Sequence, residues 1–212
     1  MTEVGGKTTG HAGQVLPVTV MYDALRALSL PEELSVASGL NALAHCVDSL
    51  WAPGADPVNA ALAGEGARVL AEGLPRIVDD PDDIDGRDAA FYGGYLAAVA
   101  FATAGSGLHH KICHVLGGSF GLPHAQTHAT ERRLAGAFDS ETAVAGLQRL
   151  RRRVNAPRRL SDLGFRHADV PRAVELILDA VPASNPRPVS AADLTVLLRA
   201  ACDGADPAVV AA

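Results

Sequence analysis

The chain has 212 residues, 48% of them hydrophobic and only 4% aromatic, so a core must be filled by alanine, leucine and valine rather than by rings. A net charge of −6 with no basic block argues against nucleic acid as a partner. No apolar run reaches bilayer-spanning length and the start lacks the basic-then-apolar layout of a signal peptide, so a cytoplasmic protein without a membrane partner is expected.

Residues 1–14 are polar and glycine-rich, without apolar period, and read as a flexible lead-in. Residues 15–22, VLPVTVMY, read as one short strand that Pro17 confines to an edge or to its start. Pro31 and the two glutamates after it open a helix, because proline at the first position and early carboxylates suit the helix dipole. A second, longer helix is predicted over residues 36–50, with Asn41 and His45 one turn apart on one face.

Asp56-Pro57 starts the next helix, whose apolar positions Val58, Leu62, Val69 and Leu70 keep period to about Gly73. Residues 79–86, DDPDDIDG, form a charged loop; its aspartates lack the closing bidentate glutamate of an EF-hand loop, which argues against calcium. Residues 87–103 are a nearly all-apolar helix of small side chains, predicted to be buried.

That helix delivers the chain into residues 105–129, GSGLHHKICHVLGGSFGLPHAQTHA, which hold five of the eight histidines and one of the two lysines. A helix over about residues 106–116 puts His110 and His114 on one face with Lys111 on the flank, and glycines 117 and 118 end it. A second short helix would place His124 and His128 one turn apart. Imidazole carries protons near neutral pH and is also the commonest metal ligand, so the cluster has two chemical readings.

After His128 come amphipathic helices over 141–154, 169–181 and 190–202, started by Ser140, Asp169 and Ser190. The arginines from Arg149 to Arg153 read as a solvated helix end, and the unpaired Cys46, Cys113 and Cys202 as free, mostly buried thiols. The fold expected is mainly α, an array of about seven to nine helices with one short N-terminal strand. A single all-helical domain is assigned to residues 15–204, with the histidine-rich site at 38–128 and shortened helices over 131–204.

At SGLNALAHCVDSL, residues 38–50, and at the histidine stretch, the sequence resembles the maleylacetate reductase branch of the iron-containing alcohol dehydrogenase family, in a superfamily that includes dehydroquinate synthase. The resemblance runs more loosely through VLPVTVMYDALRALSLPEELSVASG, RRLSDLGF and NPRPVS. It implies the family's C-terminal helical domain, where the substrate and any metal lie against a nicotinamide ring.

The family's metal positions, an Asp-xxx-His pair and two later histidines, fall on Asn41, His45, His110 and His124. Asparagine stands first, as in the maleylacetate reductase branch, and an amide oxygen gives a cation only a weak dipole where a carboxylate would neutralise it. His45, His110 and His124 remain a set able to hold zinc or iron. On the alternative reading the same rings, with Asn41 and His128, bind a substrate carboxylate or shuttle protons. His114 resembles the family's active-site histidine that is not a ligand, and His109 and Lys111 flank it with positive charge.

Members of this family begin with a nucleotide-binding α/β domain, whose glycine-rich turn cradles the cofactor's pyrophosphate. The chain starts at what looks like the junction, TEVGGKTTG, and has no such turn later, so NAD(P) is not expected to bind this chain alone. Three functions follow. In the first, the histidine-lined pocket does non-redox acid–base work of the lyase or isomerase type (isomerisation, dehydration, decarboxylation or cyclisation) on a small anionic or carbonyl substrate, with His114 as main proton carrier and His110, Lys111 and His109 beside it. In the second, a separate nucleotide-binding subunit restores NAD(P)H-dependent reduction of a maleylacetate-like oxo-acid, which requires an exposed apolar docking face. The third is a non-catalytic binding or scaffold protein. Under the first, homodimerisation through helical faces is expected.

Overall fold

The computed structural model describes residues 2–3, 6–7, 17–105, 107–108, 111–112, 115, 137–183, 185 and 188–205. Five of the seven α-helices among the described residues start where a short polar side chain meets free backbone N–H groups. Asp23 accepts from Leu25 and Arg26 at the start of α1 (Ala24–Ala27). Pro31 precedes α2 (Glu32–Ser49), with Glu32 and Glu33 in its first turn. Asp56 accepts from Val58 and Asn59 to open α3 (Pro57–Asp79), and Asp83 from Gly86 to open α4 (Ile84–Ala104). Thr142 caps α5 (Ala143–Arg153), and Ser190 and Asp193 form a reciprocal capping box on α7 (Ala191–Asp203). Between these two lies α6 (Val170–Ala180), with proline in its first turn.

The mainly helical architecture agrees with the pattern of the sequence, and several boundaries differ from it. The two helices expected before residue 50 are one continuous helix, α2, because nothing between Glu32 and Val36 breaks the ladder. Helix α3 runs past Gly73 and through Pro75, which removes one ladder hydrogen bond. Leu74 and Ile77 are both fully buried there, and the burial of two large aliphatic side chains outweighs the lost bond.

The strand expected over residues 15–22 does not form among its described positions, since Pro17 to Tyr22 have no ladder partner. An extended segment without a paired neighbour is not a strand, and Val18 and Met21 stand 102% and 88% exposed. Strands occur inside the predicted lead-in instead, where Thr2–Glu3 and Gly6–Lys7 pair antiparallel in a small hairpin. Two-residue strands leave no apolar period to read.

Helices α2, α3 and α4 pack together around Leu43, Val47, Leu70, Leu74, Ala97 and Ala100, with Leu150 of α5 added. The approach of α3 to α4 requires glycine: a Cβ at Gly93 would lie 2.6 Å from Leu70 Cγ and 3.1 Å from the Gly66 carbonyl oxygen. Helix α4 is buried along this face only, for Tyr92 and Tyr95 are about half exposed. A second cluster gathers Leu160, Phe165, Val170, Ile177, Leu194 and Leu198 from α6, α7 and the 3₁₀ turn Leu160–Leu163. The region assigned to one domain therefore holds two hydrophobic clusters.

The charged loop ends as a clamp. Arg76 donates to Asp83 at 2.7 and 2.9 Å and to Asp85 at 3.3 Å, and the Arg76 guanidinium, followed by the Gly86 N–H, holds the Asp83 carboxyl below its ordinary range. Arg152 and Arg153 are exposed, as expected of a solvated helix end, and Arg153 also pairs with Asp79 of α3. Arg87, only 3% exposed, donates to the carbonyls of Pro81 (2.8 Å), Leu30 (3.2 Å) and Ala27 and to Ser35 Oγ (3.2 Å). It stitches the turn between α1 and α2 to the start of α4. No helix among the described residues is long and apolar enough to cross a membrane.

Candidate functional site

Helix α2 brings Asn41 and His45 to one face, as their spacing predicts, and Asn41 Nδ2 lies 3.2 Å from His45 Nε2. The amide donates and Nε2 accepts in the tautomer that leaves this nitrogen unprotonated. The other side of the imidazole is fixed by Phe101 of α4, whose ring centroid lies 4.3 Å away at a 49° tilt. One turn on, Ser49 Oγ donates to the His45 carbonyl at 2.7 Å. His45 is thus held by three neighbours on two helices.

Asp48 is fully buried at the end of the same helix, and its Oδ2 accepts the Gly107 N–H at 3.0 Å. A Cβ on residue 107 would fall 2.6 Å from Asp48 Oδ1 and 3.1 Å from Trp51 Nε1, so only glycine lets the chain pass this close. The carboxylate therefore sets the point from which the histidine stretch departs. Beyond it Leu108, Lys111, Ile112 and Val115 are helical, and Leu108, Ile112 and Val115 belong to the second hydrophobic cluster. Lys111 is half-buried. The stretch is consequently anchored to the first cluster at Gly107 and to the second through Ile112.

His109, His110, His114, His124 and His128 lie outside the described residues. Of the proposed site the structure brings together Asn41 and His45. It adds Asp48, Phe101 and Gly107, which pattern reading passed over. A signal existed for Asp48: a carboxylate in the last turn of a helix opposes the dipole and is unfavourable there unless it has a partner.

The described pair is a poor half-site for a divalent cation. Where the family's pair supplies a carboxylate, Asn41 supplies a neutral amide, which lies against His45 Nε2. What the pair offers is an oriented imidazole beside an amide, suited to hydrogen bonding an anionic or carbonyl oxygen.

The profile described as Fe-containing alcohol dehydrogenase family, C-terminal, matches residues 35–131. Maleylacetate reductase 1 of Cupriavidus pinatubonensis is 38% identical over 224 residues, spanning 98% of this chain and 63% of that protein. An iron-containing alcohol dehydrogenase from Corynebacterium glutamicum superimposes with a TM-score of 0.92 at 59% identity, covering 99% of this chain and 63% of the other. The maleylacetate reductase of Rhizobium sp. strain MTP-10005 does so with a TM-score of 0.87 at 37% identity, over 97% of this chain and 63% of that one. The chain thus spans 63% of the length of these relatives. With its motifs, helical architecture and near-complete alignment in agreement, the chain belongs to the iron-containing alcohol dehydrogenase family and carries the family's C-terminal helical domain.

Proposed function

We propose that this chain is the substrate-side half of an oxidoreductase that reduces a maleylacetate-like oxo-acid, with NAD(P)H held by a nucleotide-binding domain. The observation that carries this reading is 38% identity over 98% of the chain to a maleylacetate reductase. It favours reduction over the lyase or isomerase chemistry that a histidine-lined pocket without a nucleotide domain suggests, because the similarity is to reductases and dehydrogenases. The exposed apolar side chains Val18, Val20, Met21, Tyr22, Leu25 and Tyr95 support it, since this reading requires a face for the nucleotide domain to cover.

Hydride addition turns an unsaturated carbon system into a developing anion, which must receive a proton while NAD(P)H becomes NAD(P)⁺. His114 is the proposed proton carrier, with His110, Lys111 and His109 supplying further donors and positive charge. Asn41 and His45, together with His124 and His128, are proposed to hold the substrate's oxygens. The hydrogen-bonded amide and imidazole support this role for Asn41 and His45. Two free buried cysteines fit a reducing, cytoplasmic setting, and the working assembly is proposed to be a homodimer.

The test is an assay of NAD(P)H consumption with maleylacetate, using this chain alone and mixed with a separately expressed nucleotide-binding domain of a relative, alongside calorimetry of the oxo-acid. Binding of the oxo-acid by the chain, and turnover only in the mixture, are expected. Conversion of the oxo-acid by this chain without nucleotide would overturn the reading, as would failure to bind the oxo-acid at all.

A further inference from the structure

Away from the histidine stretch, the eighth histidine of the chain meets a cysteine and an aspartate. His167 opens the 3₁₀ turn His167–Asp169, and Cys202 and Asp203 close α7. One donor atom of each, the imidazole nitrogen, the thiol sulfur and a carboxylate oxygen, lie within 4.8 Å of one another. His167 Nε2 is 2.8 Å from Asp203 Oδ1. Cys202 is 2% exposed in the second cluster, and its Sγ makes only a weak contact of 3.6 Å to the Phe165 carbonyl oxygen.

We propose that His167, Cys202 and Asp203 form a binding site for a divalent transition-metal ion of the zinc type, distinct from the histidine stretch and independent of the reductase reading. A zinc ion with sulfur, nitrogen and oxygen ligands at roughly 2.3, 2.1 and 2.1 Å places its donor atoms about 3.4–3.6 Å apart in tetrahedral geometry. Binding requires side-chain rotation that brings the three donors to those separations, with water in the fourth position. A thiolate with an imidazole selects zinc or cobalt over magnesium or calcium, which take oxygen donors.

Cys202 and Asp203 lie in the last turn of α7, whose carbonyl end favours a cation. Binding releases one proton to solvent as the Cys202 thiol becomes a thiolate ligand, so affinity falls with falling pH. The ion would tie the 3₁₀ turn to the end of α7 across the second cluster.

Cobalt(II) titration tests the site, because cobalt bound by thiolate shows a charge-transfer absorption that imidazole and carboxylate ligands do not produce. One equivalent is expected to give this band in the unaltered chain and in Cys46→Ala/Cys113→Ala, where Cys202 is the remaining cysteine. The band should vanish on Cys202→Ala and persist in His45→Ala, which separates it from any ion near the histidine stretch. His167→Ala alters an exposed side chain and so keeps the fold. It should weaken cobalt binding by about a hundredfold or more, since even outer-shell partners of a ligand are worth about 10–100-fold. Absence of the thiolate band with cobalt in excess would overturn the site, as would a band that survives Cys202→Ala or an affinity unchanged by His167→Ala.

Discussion

The contact between Asp48 and Gly107 can be tested as a coupled pair. Replacing Asp48 with alanine removes a buried hydrogen bond at 3.0 Å and leaves the Gly107 N–H without it, a loss of about 1–3 kcal/mol. Replacing Gly107 with alanine forces a Cβ to within 2.6 Å of Asp48 Oδ1 and 3.1 Å of Trp51 Nε1, an overpacking cost of about 1–3 kcal/mol. The two costs should not add. Once the carboxylate is gone, the new methyl occupies the space it vacated, so the double variant should be less destabilised than the sum by about 1 kcal/mol or more. Urea unfolding followed by circular dichroism measures all three variants, provided the m-values agree. Additivity within about 0.5 kcal/mol would mean the two groups do not share a site, and the anchoring of the histidine stretch by α2 would fall with it.

Burial pushes the Cys46 thiol up to about 12 from an ordinary 9.0, so between those values the unfolded chain ionises first and stability declines with rising pH. Unfolding measured across that window should show a slope to which this thiol contributes up to about −1.4 kcal/mol per pH unit and which Cys46→Ala makes shallower; an identical slope in the variant would exclude this thiol as a source. Arg87→Ala should cost about 2–4 kcal/mol, because the carbonyls of Ala27, Leu30 and Pro81 lose a common charged donor, and a melting temperature unchanged in differential scanning calorimetry would contradict that role. Asn41→Asp should raise bound zinc or iron in the purified protein by restoring a carboxylate beside His45, whereas unaltered metal content by elemental analysis would show that the asparagine is not what limits the site.

Much of the helical content is written locally. Asp56, Asp83 and Ser190 each sit one residue before a helix with their side chains on its first N–H groups, and such caps depend only on neighbours along the chain. The i, i+4 relation of Asn41 and His45 is local in the same sense and appears in the structure as a hydrogen-bonded pair. Where local rules fail, distant packing intervenes. Pro75 should end a helix and does not, because Leu74 and Ile77 are buried against the rest of the helical core. The apolar run after Pro17 should be a strand and is not, because a ladder needs a second chain segment.

The candidate site divides along the same line. Residue types and spacing marked Asn41, His45 and the histidine stretch, since imidazole chemistry is legible in composition alone. The partners that orient them belong to other elements: Phe101 lies 56 positions beyond His45, and Gly107 meets Asp48 at a separation of 59. His167 and Cys202 are likewise unremarkable apart and become a donor set only when a 3₁₀ turn closes onto the end of α7. One chain's order determines which side chains share a helix face, because that follows from a fixed rise and turn per residue; which faces meet is decided only when buried surface is shared between helices far apart in sequence.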